Sequence, residues 1–103
     1  MKGIKLMITS KQRAYLRKLA NGINPIFQVG KGGINDNLIT QINDALEARE
    51  LIKITLLENS FLETKETCNE LARLAGAEPV QAIGSKMVLY KESKDKKQIV
   101  LPR

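Results

Sequence analysis

The chain has 103 residues, a hydrophobic share of 43%, one cysteine, no histidine and a formal net charge of +6. This length and composition fit one globular domain with a core of its own, and they exclude a disulfide-stapled scaffold, a disordered chain and a bilayer-spanning helix. Without histidine the commonest neutral-pH base and metal ligand is gone, and a lone cysteine excludes a cysteine-rich zinc site, so no catalytic residue, metal or cofactor is expected. An unpaired cysteine and no signal-like N-terminus point to the reducing cytoplasm.

The charge is segregated. Residues 1–35 carry Lys2, Lys5, Lys11, Arg13, Arg17, Lys18 and Lys31 and no acid. Residues 36–85 carry four basic against nine acidic residues, and residues 86–103 six basic against two acidic. This polarity predicts one positive face. The plainer alternative is a basic chain whose charge only keeps it in solution.

In chain order, Thr9-x-x-Gln12 fits a capping box that opens a first helix. Tyr15, Leu16, Leu19 and Ala20 share one side of it, and Lys11, Arg13, Arg17 and Lys18 spread over the other. Asn21-Gly22 ends it. Pro25 starts a short strand, Ile26-Phe27-Gln28-Val29. The loop Gly30-Lys31-Gly32-Gly33 leads to a helix from Asn35 to Arg49. Asn35 caps it, Asp36 suits its dipole, and Leu38, Ile39, Ile42, Ala45 and Leu46 form its apolar stripe. Glu47 and Glu50 are expected as solvated helix-end charges.

A strand follows at Leu51–Leu57. Lys53 inside it takes an edge or a solvent-facing position, or meets a phosphate near an open sheet face. Ser60-x-x-Glu63 fits a second capping box, opening a helix from Glu63 to Ala75 with Gly76 as C-cap. Cys68 lies on that helix's inward stripe, where a core role is expected rather than a nucleophile. Strands at Pro79–Ile83 and Met87–Tyr90 flank the hairpin turn Gly84-Ser85. The tail Lys91–Lys97 is expected to be charged and mobile, and Ile99-Val100-Leu101 to add an edge strand or pack down. The fold class is thus α/β: a single domain, helix then strand-helix-strand-helix-strand-strand. Two strand-helix-strand units favour parallel pairing and the hairpin adds antiparallel pairing, giving a mixed four-stranded sheet.

The glycine loop is neither a G-x-x-x-x-G-K-[ST] loop nor G-x-G-x-x-G. It fits G-x-x-G at Gly30 and Gly33, a pattern that clamps nucleic-acid backbone in KH domains. A strand-to-helix turn also uses glycine, so turn chemistry alone is the competing explanation. Lys31 at the tip and the acid-free segment around it favour a phosphate ligand, with RNA foremost.

The chain resembles a stand-alone bacterial CRM domain of the YhbY type, the module named for chloroplast RNA splicing and ribosome maturation. The resemblance rests on Lys11-Gln12-Arg13, Leu16, Val29-Gly30-Lys31-Gly32-Gly33, Ala45-Leu46, Glu50-Leu51-Ile52-Lys53, Val80-Gln81-Ala82-Ile83-Gly84, Val88-Leu89-Tyr90 and Leu101-Pro102. It spans residues 8–102, the expected RNA-binding domain. It implies a fold similar to the C-terminal domain of translation initiation factor three, RNA binding through Gly30, Lys31, Gly32 and Gly33, and association with ribosomal RNA of large-subunit precursors. Lys11, Arg13, Arg17, Lys18 and Lys86 join the expected RNA contacts on charge. The expectation is a non-enzymatic, monomeric ribosome assembly factor. The alternatives are a phosphate-ligand enzyme built on the glycine loop, and a protein-interaction module whose basic face meets an acidic partner.

Overall fold

Helix α1 (Ser10–Ala20) is opened by the reciprocal capping box: the Gln12 N–H donates to Thr9 Oγ1 at 3.1 Å and the Thr9 N–H to Gln12 Oε1 at 3.0 Å. The computed structural model describes residues 8–103, so Lys2 and Lys5 of the basic segment lie outside the described residues. Strand β1 (Pro25–Val29), helix α2 (Asp36–Arg49), strand β2 (Leu51–Leu56), helix α3 (Thr64–Ala75) and strands β3 (Glu78–Ile83) and β4 (Lys86–Tyr90) follow. Asn35 caps α2 through its side chain, which accepts the Leu38 N–H at 2.8 Å.

The four strands lie in the order β1-β2-β4-β3. β1 and β2 are parallel, and β4 runs antiparallel to both β2 and β3. The second strand-helix-strand unit therefore does not form the adjacent parallel pair its order suggests. β3 crosses over past one position, and the two-residue hairpin lays β4 back into the gap. Gly84, at φ +59°, supplies the left-handed first position that this tight turn requires.

Alternation along β2 separates two cores. Ile52, Ile54 and Leu56 face α2 and α3 with Val29, Ile42, Leu46, Leu71, Met87 and Leu89. Leu51 faces the other way, with Val80, Val88 and Tyr90, against Leu16 and Ala20 of α1. Cys68 is buried in the first cluster, and its thiol donates to the carbonyl oxygens of Gln81 at 3.6 Å and Val88 at 4.0 Å.

Three local expectations are corrected. Ser60 does not cap α3. It sits in a 3-10 turn, Glu58–Ser60, where its hydroxyl donates to the Leu57 carbonyl. The Glu63 carboxylate instead accepts the Glu66 N–H at 3.1 Å, which makes Glu63 the cap. The second correction concerns Glu47 and Glu50, which are not free helix-end charges. Glu50 is fully buried, its Oε1 accepting the N–H groups of Gln98 and Ile99 and its Oε2 that of Ser93, each at 2.8 Å. Glu47 accepts from the Lys94 and Asp95 N–H groups and from the Ser93 hydroxyl. Third, and as a result, the tail at 91–97 is fastened rather than loose. Ile99 and Leu101 pack against the α1 cluster without joining the sheet.

Candidate nucleic-acid interface

Three loops converge at one end of the sheet. The first is the glycine loop after β1. The Gly33 N–H donates to the Gly30 carbonyl at 2.9 Å, so residues 30–33 close a turn. The second is the segment after β2, joined to the first because the Leu57 N–H donates to the Val29 carbonyl at 2.9 Å. The third is the Gly84-Ser85 turn. The Leu56 N–H donates to the Ser85 carbonyl at 2.7 Å, and the Thr64 hydroxyl to the Gly84 carbonyl at 2.7 Å.

The glycines of the first loop have different jobs. A Cβ on Gly30 would meet Leu57 Cδ1 at 3.3 Å and Asn59 Oδ1 at 3.5 Å, so Gly30 allows the second loop to pack closely. Gly33 takes φ +67°, where an L side chain is strained. Gly32 has nothing within 4 Å of a would-be Cβ, and its backbone lies open. Exposed Lys31 flanks this open peptide. The loop runs into the N-terminus of α2, where Asp36 in the first turn already answers part of the helix dipole.

Opposite residues in a ladder share a sheet face. The register aligns Gln28, Thr55, Lys86 and Ile83 across all four strands, on the side that carries α1. Lys53 lies two residues back from Thr55 along central strand β2, opposite Val88 of β4, so it is half-exposed on the α1 side rather than at a sheet edge. Lys86 reaches the Ser85 hydroxyl at 3.3 Å beside the third loop.

The basic residues of α1 are not in one cluster with the glycine loop. α1 packs over Leu51, Tyr90 and Val88, toward the far end of β2. Five residues of strand, about 17 Å, separate Leu51 from Leu56 at the loop end. The polar strip of Lys53, Thr55 and Lys86 lies between. Arg17 and Lys18 are exposed. Arg13 is partly consumed by the fold, with Nε donating to the Pro79 carbonyl at 3.3 Å and the guanidinium 3.8 Å from Glu78. Burial pushes the Glu78 carboxyl up, against the Ile8 N–H and Arg13, which pull it down. Lys11 is exposed, and its ammonium donates to the Arg103 main-chain oxygen at 3.1 Å.

Among the described residues, the titratable side chains nearest a catalytic role are buried ones. Burial pushes the Cys68 thiol up to about 11, far from a reactive thiolate. Burial, with Glu50 and Glu92 nearby, pushes the Tyr90 phenol up to about 12. Among the described residues no group of three or more His, Cys, Asp or Glu could hold a metal ion. Among the same residues no helix is long and apolar enough to cross a membrane.

One exposed aromatic, Phe61, lies outside the residues expected at the site. Phe61 ends the 3-10 turn at φ +58° and is 92% exposed, with Leu62 beside it. A left-handed Phe costs about 1–2 kcal/mol. Its sequence signal was a Phe-Leu pair between two acidic loop residues, where burial against a core is not expected.

An α/β domain with a glycine-loop rim and a basic strip is the class these features define, and the CRS1/YhbY (CRM) domain model matches residues 8–91. The chain belongs to that family. It is 52% identical over 96 residues to the Bacillus subtilis protein named "Probable RNA-binding protein YqeI", covering 93% of this chain and all of that one. A Haemophilus influenzae protein named "RNA-binding protein" is 36% identical over 97 residues, covering 93% of this chain and 96% of the relative. The solution structure of SAV1595 from Staphylococcus aureus superposes with a TM-score of 0.79 at 55% identity, covering 93% of this chain and all of that one.

Proposed function

We propose that residues 8–102 form a non-enzymatic RNA-binding unit that clamps phosphate backbone at Gly30–Gly33. The observation that carries this reading is the open Gly32 peptide flanked by Lys31, on a rim shared with Lys86. A backbone without a Cβ admits a phosphate closely, and a lysine ammonium neutralises it. Lys53, Arg17 and Lys18 extend the positive surface away from the rim, and Lys11 and Arg13 border it. The names of the relatives support RNA as the ligand. The resemblance to YhbY-type CRM domains supports a finer assignment. On it, the protein acts in the cytoplasm as a monomer and binds ribosomal RNA in precursors of the large subunit.

Gradient fractionation at near-physiological salt, with immunodetection, tests the cellular assignment. The protein should sediment with immature large subunits, be scarce on translating ribosomes, and leave those fractions after RNA digestion. One copy in every mature ribosome would make it a structural ribosomal protein. Confinement to the top of the gradient in cells stalled in assembly would overturn the ribosomal role and leave RNA binding to be judged in vitro. Partners that survive RNA digestion would favour a protein-binding module instead.

A further inference from the structure

We infer that Phe61 is a base-stacking platform, so that the rim takes unpaired RNA with a phosphate at the glycine loop and a neighbouring base on the Phe61 ring. The inference rests on the RNA reading of that loop and adds a recognition element to it. Phe61 is 92% exposed and Leu62 44% exposed. Burial in this chain's own core does not explain either. The left-handed backbone at Phe61 turns the chain out of the 3-10 turn just before α3.

Position ties the ring to the glycine loop. Asn59 Oδ1 would lie 3.5 Å from a Cβ on Gly30, and the Leu57 N–H is bonded to the Val29 carbonyl. Phe61 follows Asn59 by two residues, so its Cα lies within about 7.6 Å of that of Asn59. Phe61 therefore belongs to the segment that packs on Gly30, within reach of a strand bound along the rim. The segment offers RNA no positive charge of its own. Glu58 is acidic, and Glu63 is folded back onto the Glu66 N–H. It therefore contributes a π face, while Lys31 on the glycine loop and Lys86 at the start of β4 supply the cations. Stacking on an exposed aromatic is the usual way to hold an unpaired base next to a clamped backbone, and it is tolerant of sequence. In a duplex the base faces are already stacked, so this surface selects single strands.

The chain has no tryptophan, so Phe61→Trp creates a sole tryptophan reporter at the site. Its emission should be quenched by a short unpaired oligoribonucleotide. An abasic ribose-phosphate chain or a duplex of equal length should leave it unchanged. Phe61→Ala should weaken binding of the unpaired oligonucleotide roughly 5- to 150-fold, the effect of losing one stacked base. The salt dependence should not change, because no phosphate contact is lost. Phe61→Gly relieves the left-handed strain, so it should fold at least as stably and bind equally weakly. Wild-type affinity in both the Ala and Gly variants would overturn the stacking site while leaving the RNA reading standing. Equal quenching by the abasic chain would overturn it too. Loss of self-association at sedimentation equilibrium, with RNA affinity intact, would assign the patch to a second copy of this chain instead. Failure of the unmodified protein to bind any RNA in the same titration would bring down the RNA reading itself.

Discussion

At the residue scale the glycines of the loop separate into packing, conformation and access. Gly33→Ala should cost about 1–2 kcal/mol in a denaturant melt, because the residue must hold φ +67°. Gly32→Asp should leave the melt close to wild type, since nothing lies within 4 Å of the new Cβ. The same substitution should weaken RNA binding about tenfold or more, because a carboxylate then stands where phosphate approaches. The G-x-x-G pattern was legible from sequence, but this division of labour was not. It depends on Leu57 and Asn59, which reach Gly30 only after β1 and β2 have paired.

At the element scale the tail strap is the main feature that the sequence hides. Glu47 and Glu50 look like solvated ends of α2 because their partners lie 43 to 49 residues away. Burial alone would push the Glu50 carboxyl up. The N–H groups of Ser93, Ile99 and Gln98 outweigh it and hold the carboxyl below the ordinary range. N–H groups of Lys94 and Asp95 hold Glu47 below that range as well. The stabilisation from carboxylates lowered in this way is complete above the ordinary carboxyl pKa, and it is lost as pH falls through the lowered folded values. Amide exchange at Ser93, Gln98 and Ile99 should therefore stay slow near neutrality and accelerate, relative to strand amides, only below about pH 4.5. Glu50→Gln removes the charge and turns a donor toward backbone N–H groups, and should cost about 3 kcal/mol in a chemical melt. A cost near zero would mean that the strap is not held by this carboxylate. Caps that rest on near neighbours were legible: Thr9 with Gln12, and Asn35 with Leu38. Ser60 misled because Glu63 competes for the same helix start and wins by reaching the Glu66 N–H.

At the scale of the whole molecule, sequence order gave the strands and helices but not the place of β4. Local pattern records which segments are strands, and adjacency is decided by the hairpin that folds β4 into the gap between β2 and β3. That placement puts Lys86 beside Thr55 and on the α1 side of the sheet. It also spaces the loop from the α1 cations, which charge counting had merged into one face. Replacing Arg17 and Lys18 together should reduce the magnitude of the salt dependence by about 1.4 in log–log slope, if each neutralises one phosphate on a single strand. The melt should move little, since both side chains are exposed. The most direct test of backbone clamping at the glycine rim is the RNA affinity of the unmodified protein and of Gly32→Asp across a salt series. Affinity should fall linearly with salt on log–log axes, and the variant should bind more weakly at every salt concentration. A salt-independent affinity, or identical curves for the two proteins, would contradict the clamp.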